Sequence, residues 1–132
     1  MKLTFKKVIW STAIALLFFF QTIRASDAID KLQEVYQKQG ATSFSAKSGE
    51  LLWHKKFNNR SCTTCHSSSV RSEGQHKRTG KVILPMAPSV NSKRLTNQKK
   101  VKKWFLRNCK WTFGRVCSAQ EKGDILQWLK EQ

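Results

Sequence analysis

The chain has 132 residues, with 25 Lys and Arg against 8 Asp and Glu and a formal net charge of +17. That length excludes more than one small domain, and so small a core needs a staple or a buried cofactor to hold it together. A basic excess of this size ordinarily points to nucleic acid, an assignment that the N-terminal residues remove.

Lys2, Lys6 and Lys7 precede an apolar run from Val8 to Phe20, and the chain turns polar again from Gln21. That run rises only about 20 Å as a helix, short of the roughly 30 Å hydrocarbon core of a bilayer. The pattern is that of an export signal over residues 1–25, cleaved after Ala25, with a retained anchor as the alternative. Cleavage removes Lys2, Lys6, Lys7 and Arg24 and no acid, leaving +13 over the 107 residues 26–132. The expected compartment is the periplasm. The charge there draws an acidic protein or an anionic membrane surface, and not nucleic acid.

Ser26 and Asp27 cap a predicted helix over 27–39, with Ile29, Leu32, Val35 and Tyr36 at helical spacing and Gly40 as its stop. A second helix is predicted from Ala46 to Phe57, carrying Gly49, Leu52, Trp53 and Phe57 on one side. Residues 67–92 are rich in Ser, Gly, Lys and Pro and hold no sustained period, which predicts a long loop interrupted by Val82, Ile83 and Leu84. A third helix is expected from Thr96 to about Cys109, with Val101, Trp104 and Phe105 apolar among Lys99, Lys100, Lys102, Lys103 and Arg107. Ser118 and Glu121 form a capping box for a last helix bearing Ile125, Leu126, Trp128 and Leu129. No strand alternation and no repeat is visible. The fold class expected is a small all-α domain wrapped around a cofactor, since a long loop in so small a domain needs something to enclose.

The cofactor follows from Cys62-Thr63-Thr64-Cys65-His66. Two thiols three positions apart can add to the two vinyl groups of haem, and the histidine after the second is then placed beneath the iron. The sequence thus points to one covalent haem c per chain, attached at Cys62 and Cys65 with His66 as the proximal ligand. A redox dithiol or half a zinc site are the rivals, and zinc favours paired CxxC units that this chain lacks. The other ring nitrogen of His66 needs an acceptor, expected among the carbonyls of residues 84–88.

The sixth position on the iron decides what such a protein does. Met86, His54 and His76 are possible ligands, with a packed methionine and exposed histidines as the plainer explanations. Asn108 is the anomaly. At about 100° per residue from Val101 it falls at about 340°, between Trp104 and Phe105, where a buried amide costs roughly 1–3 kcal/mol unless bonded or coordinated. Asn108 is therefore either an iron ligand or a cap at a fraying helix end.

The runs Pro85 to Asn91, Lys100-Val101 to Trp104-Phe105, Arg107-Asn108-Cys109, Gly114 to Cys117 and Glu121 to Asp124 are similar to those of the SHP-type cytochromes c. The similarity covers roughly residues 45 to 129, and its most specific part is Asn-Cys followed by a nearby Cys. The resemblance implies a monohaem, class I-like cytochrome c fold. It makes Asn108 the distal ligand and Cys109–Cys117 a disulfide, beside Cys62, Cys65 and His66. It further implies binding of oxygen, carbon monoxide or nitric oxide in the reduced state, and electrons accepted from a dihaem cytochrome c.

The function expected is redox-linked gas binding in the periplasm, with Lys99, Lys100, Lys102 and Lys103 as the docking face for the electron donor. A permanently six-coordinate electron carrier is the alternative. An oxygen- or nitric-oxide-linked enzyme is the least supported, because no distal acid or base, and so no catalytic residue, is identifiable.

Overall fold

The computed structural model describes residues 24–132. All but the last two residues of the expected export signal lie outside the described residues. Helix α1, Ala25–Lys38, buries Ile29, Leu32 and Tyr36, one face of a helix spaced i, i+3 and i+7. Gly40, with φ at +95°, carries the backbone out of the last turn where a side chain would be strained.

Helix α2, Ala46–His54, starts at Ser45, whose side chain accepts the Ser48 N–H at 3.1 Å. It stops three residues short of the expected Phe57. Phe57 and Arg60 exchange backbone hydrogen bonds of 2.7 and 2.9 Å, across Asn58 and Asn59 with φ at 46° and 61°. Asparagine tolerates that left-handed region better than most residues, so the pair makes a tight turn where the periodicity alone continues the helix.

The short helix α3, Thr63–His66, follows directly. Strands β1, Gly74–Gln75, and β2, Val82–Ile83, pair antiparallel with Gly74 opposite Ile83. The sequence predicts no strand here, because two residues are too short to show an alternating pattern. The hairpin between them closes through His76 N–H to Lys81 O at 2.8 Å, with Gly80 at φ +68°.

Helix α4, Gln98–Phe113, is capped by Asn97, which accepts from Lys100 N at 2.9 Å. It runs four residues beyond the expected end at Cys109, to a left-handed Gly114. Tertiary contacts carry that extra turn: Thr112 is buried, and the Phe113 ring lies 4.4 Å from that of Phe57. Helix α5, Ala119–Lys130, has the capping box, with Ser118 accepting from Glu121 N at 3.1 Å and Glu121 accepting from Ser118 N at 2.8 Å.

The helices meet on α5. Gly49 of α2 sits so close to it that a Cβ would lie 2.0 Å from the Asp124 carbonyl oxygen. Buried Asp124 fastens the same crossing by accepting from Ser45 N at 2.8 Å and Gln120 Nε2 at 2.9 Å. One core cluster joins Trp53, Val70, Ala87, Ile125, Trp128 and Leu129; a second joins Ile29, Leu32 and Tyr36 of α1 to Val101 and Leu126. Apart from its one hairpin the described chain is all-α, and none of its helices is long and apolar enough to cross a membrane.

Candidate haem site

Local hydrogen bonds shape the Cys62–His66 turn. Ser61 N–H donates to Thr64 Oγ1 at 3.0 Å, and Cys65 N and His66 N both reach the Cys62 carbonyl, at 3.3 and 3.1 Å. The two thiols therefore leave one helical turn, with His66 four residues after Cys62. Ser67, at φ 61°, then ends the turn.

Both thiols are free and half-buried. Burial first, then the neighbouring Cys65, pushes the Cys62 thiol up to about 12, against the effect of a backbone hydrogen bond. A redox dithiol works through a thiolate, so this environment opposes that rival. Zinc fares no better, since the described residues contain no group of three or more His, Cys, Asp or Glu able to hold a metal ion.

His66 is held against Trp53, ring centroids 5.1 Å apart, and Trp53 against Trp128 at 5.5 Å. Burial, aided by the Arg94 charge, lowers the imidazole to about 4, leaving it neutral and able to donate a lone pair at neutral pH. Its Nδ1 is buried without a hydrogen-bond partner among the described residues, as is the Trp53 Nε1. The expected bond to a carbonyl of residues 84–88 is therefore not made. Pro85 O instead accepts from Arg94 Nε at 2.9 Å and Asn91 Nδ2 at 3.3 Å, and Leu84 O accepts from Arg94 Nη2 at 2.6 Å. Sequence reasoning missed Arg94 altogether, for it lies in an aperiodic stretch and its partners are nine and ten residues back.

Asn108 corrects one expectation and narrows another. It is exposed, whereas the buried side of α4 is formed by Val101, Cys109 and Thr112 with Phe105 half-buried. On a wheel of about 100° per residue from Val101, that side spans about 0° to 80°, and Asn108 at about 340° sits at its edge. Its neighbours on the edge are Trp104 and Trp111, at about 300° and 280°, which remain 51% and 39% exposed. Capping no longer explains the amide, because the helix continues five residues past it to Phe113. What remains is an exposed aromatic stripe interrupted by one amide, an apolar face that a flat apolar group would cover.

The stripe is tied to the haem motif. Arg60, two residues before Cys62, donates from Nη1 to Trp111 O at 3.0 Å and lies 4.8 Å over the Trp111 ring. Behind Asn108, Cys109 and Cys117 are bonded, with Cα atoms 5.6 Å apart. The free pair of thiols on one turn, a neutral buried imidazole and the aromatic stripe fit a covalent haem. Cys62, Cys65 and His66 are brought together; Asn108 stands on a separate helix joined to them through Arg60 and Phe57.

The other ligand candidates have plainer places. Met86 packs half-buried against the core around Trp53. His54 is exposed at the end of α2, edge-on to Trp128 at 6.0 Å, and His76 Nδ1 is within 3.2 Å of Thr79 N inside the hairpin. Lys99, Lys100, Lys102 and Lys103 are all exposed on α4, which carries no acidic residue.

A family model described as a domain of unknown function, DUF1924, matches residues 39–129. The cytochrome c-type protein SHP of Cereibacter sphaeroides is 50% identical over 72 residues, 54% of this chain and 55% of that protein. Cytochrome c'' of Methylophilus methylotrophus is 34% identical over 90 residues, 64% of this chain and 62% of that protein. The chain thus spans little more than half the length of these curated relatives. The solved structure of oxidised SHP, described as an oxygen-binding cytochrome c, superposes with a TM-score of 0.72 at 38% identity, covering 79% of this chain and 96% of its own. Oxidised cytochrome c'' superposes at 0.70 with 28% identity, covering 82% and 94%.

Proposed function

Because the chain belongs to the SHP-type cytochromes c, within the family described as DUF1924, we propose that it is a periplasmic gas-binding cytochrome reduced by a partner redox protein. Its haem cytochrome c character is shared with both relatives, SHP and cytochrome c''. In this proposal residues 1–25 are the export signal and 26–132 the cytochrome domain. One haem per chain is attached at Cys62 and Cys65. Bound there, it supplies a one-electron couple and, when ferrous, an affinity for oxygen, nitric oxide or carbon monoxide.

His66 would hold the haem through its neutral imidazole. Asn108 would be a second residue to hold it, through its amide oxygen, a hard, weak donor that suits ferric iron better than softer ferrous iron. With a ferrous haem in place, the Asn108 amide would be the weaker-held partner, and its side of the site would be open to a diatomic gas. The Cys109–Cys117 bridge anchors the residue next to Asn108, and Arg60 holds the following turn through Trp111, so the part of α4 that carries the amide is fixed on both sides. Lys99, Lys100, Lys102 and Lys103 face an acidic electron donor, a dihaem cytochrome c by the family resemblance. The observation that carries the proposal is the lone amide of Asn108 on the exposed Trp104–Trp111 stripe, inside a helix where it caps nothing.

The test is spectroscopic, on protein whose mass equals the chain from Ser26 plus one haem. Asn108→Ala is expected to change the ferric spectrum, as water or an open position replaces the amide, while the ferrous spectrum and carbon monoxide binding barely change. Met86→Ala is expected to alter neither state. A silent Asn108→Ala, with loss of a sulfur-to-iron charge-transfer band in Met86→Ala, would make the protein a methionine-ligated electron carrier and sink the gas-binding function.

A further inference from the structure

The turn over residues 57–60 ties the segment entering the Cys62–His66 motif to the far end of α4 at two points. The Phe57 ring lies 4.4 Å from that of Phe113, and Arg60 donates from Nη1 to Trp111 O at 3.0 Å while its guanidinium lies 4.8 Å over the Trp111 ring. Trp111 O is one of the last four carbonyls of α4, which a helix cannot bond internally, so Arg60 supplies a donor that the helix end lacks. Its positive charge also sits at the negative end of the helix, where cations are favoured. Arg60 is thus a cap for the end of α4 brought from 51 residues away in the chain.

The Arg60 backbone has little freedom relative to the motif. Phe57 and Arg60 exchange backbone hydrogen bonds of 2.7 and 2.9 Å, and buried Ser61 fixes the next step by donating from N to Thr64 Oγ1 at 3.0 Å. Asn108 lies three residues before Trp111, on the same side of α4 and one turn back. A chain of fixed contacts therefore runs from Cys62 through Arg60 and Trp111 to Asn108. The Cys109–Cys117 bridge does not supply this link, because it joins α4 to the segment that follows it rather than to the motif.

We propose that Arg60 is a positioning residue for Asn108: by capping and stacking on the turn that follows the amide, it holds Asn108 in place relative to the Cys62–His66 turn and raises the share of ferric protein in which the amide reaches the iron. This inference rests on the proposed function in taking Asn108 as an iron ligand. It adds the residue that sets how well the amide competes with water in the ferric state. A cation at a helix C-terminus and a cation–aromatic stack at an exposed site together carry about a tenfold change in such an equilibrium.

The experiment compares the haem-loaded protein with its Arg60→Ala, Arg60→Lys and Asn108→Ala variants and with the Arg60→Ala, Asn108→Ala double variant. Glu121→Gln is the control, since it lowers stability just beyond the end of α4 with no link to the motif. The ferric spectrum, the midpoint potential, Tm and hydrogen exchange over α4 are read for each. Arg60→Ala is expected to speed exchange at the end of α4 and to move the ferric spectrum part of the way to that of Asn108→Ala. Because the amide favours ferric iron, the ferrous-to-ferric ratio at a fixed potential is expected to rise about tenfold, or about 59 mV for one electron. Arg60→Lys keeps the charge and a donor for Trp111 O, so it is expected to restore most of both. In the double variant Arg60→Ala is expected to add nothing to Asn108→Ala, as coupled residues require. Glu121→Gln is expected to lower Tm and leave spectrum and potential alone. An Arg60→Ala protein with the unsubstituted spectrum and potential overturns the inference, however α4 exchanges. So does a shift that persists in full when residue 108 is already alanine, which makes Arg60 a nearby charge, or an equal shift from Glu121→Gln, which makes it a loss of stability. If Arg60→Ala takes up no haem, Arg60→Gln takes its place in every comparison. A ferric spectrum that Asn108→Ala leaves unchanged overturns the proposed function itself.

Discussion

A single methyl group at Gly74 tests how closely the hairpin supports the haem motif. A Cβ at Gly74 would lie 2.0 Å from the Cys65 carbonyl oxygen, 2.8 Å from His66 Cα and 2.9 Å from Cys65 C. All three are backbone atoms, so no side chain can swing aside. Ordinary contact begins near 3.4 Å, so Gly74→Ala forces the hairpin or the Cys62–His66 turn to move by about 1.4 Å. Overpacking of this kind costs about 1–3 kcal/mol, offset by the roughly 0.5–1 kcal/mol that alanine gains over glycine in a strand. The net loss lies between about 0 and about 2.5 kcal/mol, toward the upper end because only backbone atoms can yield, and each kcal/mol lowers Tm by roughly 4–8 °C in a domain of this size. Thermal unfolding followed with the midpoint potential of the haem protein reads both effects, because the displaced atoms include those of His66, the proposed iron ligand. Gly49→Ala is the comparison. Its Cβ meets the backbone of Asp124 and Ile125 at the α2–α5 crossing, so Tm falls with little change in potential. Gly74→Ala with the Tm and potential of the unsubstituted protein would refute the reasoning, as would equal shifts in potential from the two variants.

The Arg115–Glu121 pair carries a pH dependence. Glu121 accepts from both Arg115 nitrogens, at 2.6 and 2.7 Å, and these bonds, with those from Ser118, hold its carboxyl below the usual 4.5. A depressed folded value makes its stabilisation present above pH 4.5 and lost as pH falls through the folded value. Glu121→Gln is therefore expected to lower Tm at pH 7, with the gap closing in strong acid; a gap independent of pH would contradict this. Reduction by the natural electron donor is expected to slow between 0.1 M and 1 M salt, as the screening length falls from about 10 Å to about 3 Å. A rate indifferent to salt leaves Lys99, Lys100, Lys102 and Lys103 as a solvated surface.

Elements built from contacts between near neighbours in the chain are legible in the amino-acid order itself. The Cys62-Cys65-His66 spacing lies within one turn, the Ser118–Glu121 capping box spans three residues, and Ile29, Leu32 and Tyr36 share a face wherever α1 docks. The same locality explains the errors. Trp104 and Phe105 are adjacent on the apolar arc of α4, yet only Phe105 turns inward, because amphipathic spacing names a stripe and leaves open which part of it the neighbours cover.

Amino-acid order alone thus determined the haem-attachment motif, the helical class and the basic surface of α4, since each rests on spacing along the chain or on composition. Tertiary structure decided the rest. The burial of Cys109 and Thr112 set the rotation of α4 and left Asn108 exposed between Trp104 and Trp111. The Phe57–Phe113 contact carried the helix to Gly114, and Arg94 reached back to the carbonyls of Leu84 and Pro85. The rotation of a helix about its axis, and the choice of acceptor by a long side chain, depend on which distant surfaces arrive beside them, and no local pattern encodes that arrival.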